Sequence, residues 1–315
     1  MGNMAGLLAD LAIIVLPVFG VIGLGYLAAR TKLVSETASD GLAEYVFSLA
    51  VPILIFKTLS ESQLPDAQPW GYWIAYFTGA FAVFGIASFM AAKVFKRSHI
   101  EAVIHGFSAG QANTVFVGVP LILKAYGEAG AVPLFLLIAV HLPIMLVAAT
   151  LMVEGGNGLS LATAKRLFRS LAFNPILLGI YAGGLARVFG FQASGVAKQI
   201  LDMMAASATP CALISLGLAL KRYGVSGDLR PTMVICGLKL VVHPLLVLGL
   251  TRILPMPPVW AGVAVLFAAM PCGINAYLLA QRYGAGVGTS SSAVSLSTGL
   301  GLITITFWLY ILGVG

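Results

Sequence analysis

The sequence predicts an all-α polytopic membrane protein of ten transmembrane helices, arranged as two inverted five-helix repeats. Three observations carry that prediction. Of 315 residues, 59% are hydrophobic and only 9% charged, where a soluble domain needs about 25% charged residues to face water; the mean hydropathy is +0.99. Ten apolar stretches approach the ~20 residues that a bilayer crossing requires. The two halves of the chain also repeat the same Pro and Gly positions at nearly one offset. This composition excludes a soluble enzyme, a disordered scaffold and a disulfide-stapled secreted domain.

With Pro, Gly and charge clusters as punctuation, the ten spans are expected at 6–29, 40–59, 70–95, 101–125, 130–153, 170–190, 198–220, 231–254, 259–282 and 287–312. The first apolar run has no basic segment before it and reads as a retained span rather than a cleaved signal. The longest polar interruption, Glu154 to Arg169, divides the chain into a first repeat (1–154), a cytoplasmic linker (155–169) and a second repeat (170–315). At an offset of 158, Pro17, Gly25, Leu27 and Ala28 fall on Pro175, Gly183, Leu185 and Ala186, and Ala50-Val51-Pro52 falls on Ala208-Thr209-Pro210. At 157, Ala125-Tyr126-Gly127 falls on Arg282-Tyr283-Gly284. Five spans is an odd number, so the second half enters the bilayer from the opposite side, as in many secondary transporters.

Charge sets the orientation. The loops after the odd-numbered spans hold twelve of the 18 basic residues and the opposite side holds five, with Lys239 inside a span. Basic residues collect in cytoplasmic loops, which places both termini outside, across the bacterial inner membrane. The same rule accounts for the net charge of +7, so no nucleic-acid partner is expected. Cys211, Cys236 and Cys272 stand singly in apolar stretches without metal-ligand spacing. No metal and no cofactor is expected, and a coupling ion, sodium or proton, is left open.

Interrupted spans point to the site, because irregular backbone at membrane depth survives only when buried in protein or lining a cavity. Span 4 carries Gln111, Asn113 and Thr114, then Gly118 and Pro120; span 9 carries Pro271, Cys272, Gly273 and Asn275. Each set places helix-breaking residues beside an amide side chain, at equivalent positions in the two repeats. A break exposes N–H groups at one half-helix start, which attract anions, and carbonyls at another half-helix end, which attract cations. The plainer alternative is a pair of proline kinks.

Pro17, Pro52, Pro175 and Pro210 read first as kinks, with Pro52 and Pro210 also placed to flank a central site. Ser291, Ser295 and Thr298 share one face of span 10, which either lines a wet cavity or bonds back to helix carbonyls. Lys239 and His243, one turn apart in span 8, and His141 in span 5 are accessory candidates, since ionisable residues inside a bilayer are costly. For each, the bland alternative is a snorkelling lysine or a backbone-bonded histidine. Gly106-Phe-Ser108-Ala-Gly110 has nucleophile-elbow spacing but lies in an apolar span, and reads as close helix packing together with Gly179 and Gly183. No nucleophile–base pair or Walker A motif is present, so no enzyme is expected.

Four segments resemble the auxin efflux carrier family: Leu16-Pro-Val-Phe-Gly-Val-Ile-Gly-Leu-Gly-Tyr-Leu-Ala-Ala-Arg30, Leu49-Ala-Val-Pro-Ile-Leu-Ile-Phe56, Asn113-Thr-Val-Phe-Val-Gly-Val-Pro120 and Met270-Pro-Cys-Gly-Ile-Asn275. The resemblance extends over essentially the whole chain. It implies that spans 4 and 9 cross as broken helices, and that a scaffold domain and a transport domain move against each other like an elevator. It further implies a small organic anion as substrate, such as malonate, malate or an auxin-like acid, and a homodimer through the scaffold helices. Asn113, Gly118 and Pro120 match the family's crossover, with Pro271 and Asn275 as their counterpart. Alternatives are a sodium- or proton-coupled symporter of a larger amphipathic anion and a non-transporting membrane receptor.

Overall fold

The computed structural model describes residues 2–62, 69–155, 165, 168–169 and 172–314. Most of the expected linker, including Arg166, lies outside the described residues, as does the start of span 6. The described chain is all-helical: α1 (Gly2–Arg30), α2 (Glu36–Tyr45), α3 (Val51–Glu61), α4 (Trp70–Lys93), α5 (His99–Gly110), α6 (Val119–Tyr126), α7 (Ala131–Glu154), α8 (Pro175–Val188), α9 (Gly195–Tyr223), α10 (Leu229–Gly237), α11 (His243–Thr251), α12 (Pro258–Ala269), α13 (Ile274–Tyr283) and α14 (Val287–Ile311). Among the described residues, seven helical stretches are long and apolar enough to cross a membrane. They correspond to expected spans 1, 2, 3, 5, 7, 8 and 10, the stretch for span 5 starting at Thr114 and taking in the second half of span 4. The other three are shorter pieces: span 4 is split into α5 and α6, span 9 into α12 and α13, and span 6 is the 14-residue α8.

The prolines explain most of these irregularities. A proline inside a helix leaves the carbonyl four residues earlier without its donor. Three wide, π-type turns, Val46–Ala50, Thr114–Gly118 and Leu238–Val242, directly precede α3, α6 and α11, whose second residues are Pro52, Pro120 and Pro244. At the third, the Trp308 indole N–H donates to the Leu240 carbonyl at 2.8 Å, replacing the donor that Pro244 lacks. Pro175 is not a mid-span kink as expected. It opens α8 after Asn174, whose side chain accepts from the Ile176 N–H at 2.9 Å, because proline at a first helical position costs no hydrogen bond. Pro17 and Pro210 lie within the continuous helices α1 and α9.

Glycines let the helices close on one another. A Cβ on Gly179 would lie 2.6 Å from the Pro52 carbonyl oxygen and one on Gly183 2.9 Å from that of Phe56, so α8 lies flat on α3. One on Gly217 would lie 2.9 Å from Gly25 Cα, which joins α9 to α1. One on Gly106 would meet the Phe84 carbonyl of α4 at 2.6 Å, so the nucleophile-like spacing is a packing surface.

The helices sort into two packing groups. The first contains α1, α2, α3, α8 and α9; the second contains α4 to α7 and α10 to α14. Lys57–Asp202 (2.5 Å), Lys198–Glu61 (3.5 Å) and Arg222–Asp40 (2.8 Å) tie members of the first group. Arg97–Asp228 (2.8 Å) and Tyr283–Glu154 (2.8 Å) tie members of the second. Outward faces are apolar, as at Ile13, Leu24, Phe89, Leu185 and Ile303, where a bilayer replaces water as solvent.

Gly217→Ala is expected to cost about 1–3 kcal/mol by overpacking the α1–α9 seam. Gly184→Ala in α8, where an added Cβ meets nothing within 4 Å, should gain about 0.5–1 kcal/mol. Thermal unfolding of the detergent-solubilised protein, compared between the two variants, tests both signs.

Candidate functional site at the crossing of two broken helices

The two breaks meet in space. Gln111, Asn113, Met270 and Gly273 are not helical, with ψ of 123°, 79°, 147° and 146°. The extended segments pair antiparallel at Ala112 and Cys272. The Asn113 N–H donates to the Pro271 carbonyl at 2.8 Å, and the Gly273 N–H donates to the Gln111 carbonyl at 3.0 Å. The pattern is reciprocal. A Cβ on Gly273 would lie 2.7 Å from the Ala112 oxygen, so glycine is what lets the two backbones approach.

The remaining N–H groups of the breaks are met from the last span of each half. The Ala112 N–H donates to His141 Nε2 at 3.1 Å, from α7. The Cys272 N–H donates to Ser297 Oγ at 2.9 Å, from α14. Since His141 Nε2 accepts, the ring is neutral with its proton on Nδ1, which points at the Tyr76 hydroxyl 3.0 Å away. Behind α12, the fully buried Lys239 donates to the Ala268 carbonyl at 2.9 Å and contacts His243 Nδ1 at 3.1 Å.

A cavity of about 350 Å³ opens on the other face of the crossing. Asn113, Thr114, Gly273 and Asn275 line it, with Phe47 and Ser48 before α3, Phe116, Ile138, Leu142 and Pro143, and Asn174 to Leu177 at the start of α8. The walls therefore come from both packing groups. The floor is polar and the sides are apolar. Asn113 is buried, and its Nδ2 donor has no partner within the protein. α13 begins at this cavity, and the turn leading into α6 begins there too, so both helix starts direct N–H groups and positive dipole ends toward it. The described lining offers N–H and amide donors and no charged side chain.

The other expected residues stand elsewhere. Gln111, Gly118, Pro120, Pro271 and Cys272 are buried behind the lining and shape the break. His141, Lys239 and His243 support it from the rear. Pro52 sits against Gly179, and Pro210 is on an exposed side of α9. Ser291 donates to the Tyr223 carbonyl, and Thr298 back-bonds to the Val294 carbonyl at 2.7 Å. Ser295 Oγ is buried with no partner within the protein. Sequence reasoning passed over Ser48 and Asn174. Their signal was faint: Ser48 stands four residues before Pro52, and Asn174 immediately before Pro175.

A family model described as membrane transport protein matches residues 11–309. The chain belongs to this family. It is 28% identical over 98% of its length, and 98% of the relative's, to a Rhizobium meliloti protein named "Putative malonate transporter". It is 26% identical to an uncharacterized transporter of Methanothermobacter thermautotrophicus, over 84% of this chain and 86% of that one. With the uncharacterized transporter YfdV of Escherichia coli K12 it shares 21% identity over 94% of this chain and 96% of that one. Membership of the family agrees with the resemblance to auxin efflux carriers, and the chain is a multi-pass membrane protein of a transporter family.

Ser297→Ala leaves the buried Cys272 N–H unpaired and is expected to cost about 1–3 kcal/mol. Ser295→Ala removes a hydroxyl that has no partner and should be neutral or mildly stabilising. Parallel thermal melts of the two alanine variants make the comparison.

Proposed function

We propose that this chain is a secondary carrier that moves a small organic anion across the bacterial inner membrane by alternating access. The substrate carboxylate lies in the cavity at the crossing, held by the Asn113 and Asn275 side chains and by N–H groups at the starts of α13 and the turn before α6. The observation that carries the reading is Asn113 Nδ2, a buried donor without a partner on the wall of that cavity. A buried unpaired donor costs free energy that a bound carboxylate would recover. The kinship to the Rhizobium meliloti relative favours malonate or a similar short carboxylate.

The finer architecture belongs to the same proposal. The chain crosses ten times as two inverted repeats, 1–154 and 170–315, with Asn113, Thr114, Gly118, Pro120 and Pro271, Cys272, Gly273, Asn275 as paired site elements. The reciprocal bonds support this, since Gln111 and Asn113 answer Pro271 and Gly273 at one offset of 160. The group of α1, α2, α3, α8 and α9 is the scaffold, and the other group is the moving transport domain. Two features favour sliding between them: the described ion pairs named above stay within one group, and the shared cavity has apolar sides. Both termini lie outside, as the basic loops require, and two scaffolds pair in a homodimer.

The apolar sides support a second reading, a carrier of an amphipathic anion whose hydrophobic body lies against Phe47, Phe116, Ile138 and Leu142. Uptake of radiolabelled malonate, malate and indole acetate into proteoliposomes separates the two. Asn113→Ala and Asn275→Ala should each lower flux of the accepted anion by roughly 10–100-fold, the worth of a hydrogen bond to a charged group, while the protein stays folded in detergent. Wild-type flux in both variants would overturn the site.

A further inference from the structure

The end of a helix opposite its N–H start presents unpaired carbonyls and the negative pole of the dipole. At the crossing, α12 ends at Ala269 inside the protein, where the Met270 N–H meets the Phe267 carbonyl at 3.3 Å and the helix does not continue to cap the others. In broken-helix carriers such an end is where a diffusible cation coordinates. Here Lys239 reaches it. Its Nζ donates to the Ala268 carbonyl at 2.9 Å, and the side chain is fully buried.

An ammonium at this position donates to His243 Nδ1 at 3.1 Å and leaves that ring neutral with its proton on Nε2, an atom that has no partner within the protein. His141 is neutral by the same logic applied to the Ala112 N–H. The Tyr76 ring lies between the two histidines, edge-on to His141 at 5.4 Å and tilted to His243 at 5.5 Å. No Asp or Glu occurs in residues 106–120 or 265–280, and among the described residues Lys239 makes no ion pair. The lysine sits on the wide turn before Pro244, anchored by the Trp308–Leu240 bond. It is therefore fixed in place rather than snorkelling.

We propose that the Lys239 ammonium is a tethered counter-ion for the carbonyl end of α12, in place of a diffusible cation, so that transport proceeds without sodium. This rests on the carrier reading for its flux consequence, and on geometry alone for its structural one.

The test has two arms. In the first, wild-type proteoliposomes take up the accepted anion equally well with sodium replaced by choline on both sides, and Lys239→Met, which keeps the chain but not the charge, lowers flux by roughly tenfold or more. A saturable sodium requirement in the wild type, or full flux in the Met variant, overturns the proposal. The second arm needs no transport. Thermal melts of wild-type protein should be the same in sodium and choline chloride, whereas Lys239→Ala should melt lower and be restored by methylammonium or sodium but not by choline. Absence of any such cation-specific rescue, with Lys239→Ala otherwise folded, overturns it as well. If the alanine variant does not fold, the wild-type melts still decide: stabilisation by sodium over choline counts against a tethered cation. Failure of every anion to cross in the wild type, with these melts as expected, would instead count against the carrier reading.

Discussion

Two backbone hydrogen bonds, Asn113 to Pro271 and Gly273 to Gln111, hold the centre of this protein together. Helices broken at membrane depth leave polar groups that hydrocarbon cannot satisfy. Each break here completes the other, and the leftover N–H groups of Ala112 and Cys272 are taken by His141 and Ser297. Once those are paired, the backbone can stay open without water, and helix starts can face a cavity. The glycine at 273, the proline at 271 and the accessory histidine at 141 all serve that one requirement.

The interaction also separates two chemistries that a single helix cannot offer together. On the cavity side lie helix starts, amide side chains and a donor in want of an acceptor. On the far side lie helix ends, carbonyls and a lysine. The bridge between them is only three residues deep in each chain segment, so what binds at one face bears on the frame that the other face stabilises.

Much of this was legible in the sequence, because the constraint is written in residue types. Pro and Gly beside Asn in two otherwise apolar spans identified the breaks, and the shared offset between the halves identified them as a pair. The membrane character followed from charge scarcity, and the close packing at Gly106, Gly179 and Gly183 from spacing, whereas the seam at Gly25 and Gly217 did not. The roles of individual polar residues were not legible. Lys239 and His141 have partners elsewhere in the chain, the Ala268 carbonyl and the Ala112 N–H, and such backbone partners carry no sequence signal. Ser48 and Asn174 reach the cavity because prolines downstream widen or start a helix there. Pro175 looked like a kink because the sequence pattern did not show where α8 begins.

The Trp308 indole standing in for the donor missing at Pro244 ties together two positions distant along the chain. An alanine at 244 would supply its own N–H to the Leu240 carbonyl, whose second lone pair could still accept from the indole. A residue other than tryptophan at 308 would leave that carbonyl stranded beneath the proline. The dependence runs one way: while the proline stands at 244 the tryptophan is needed at 308, and a lineage that loses the proline is released from keeping the tryptophan.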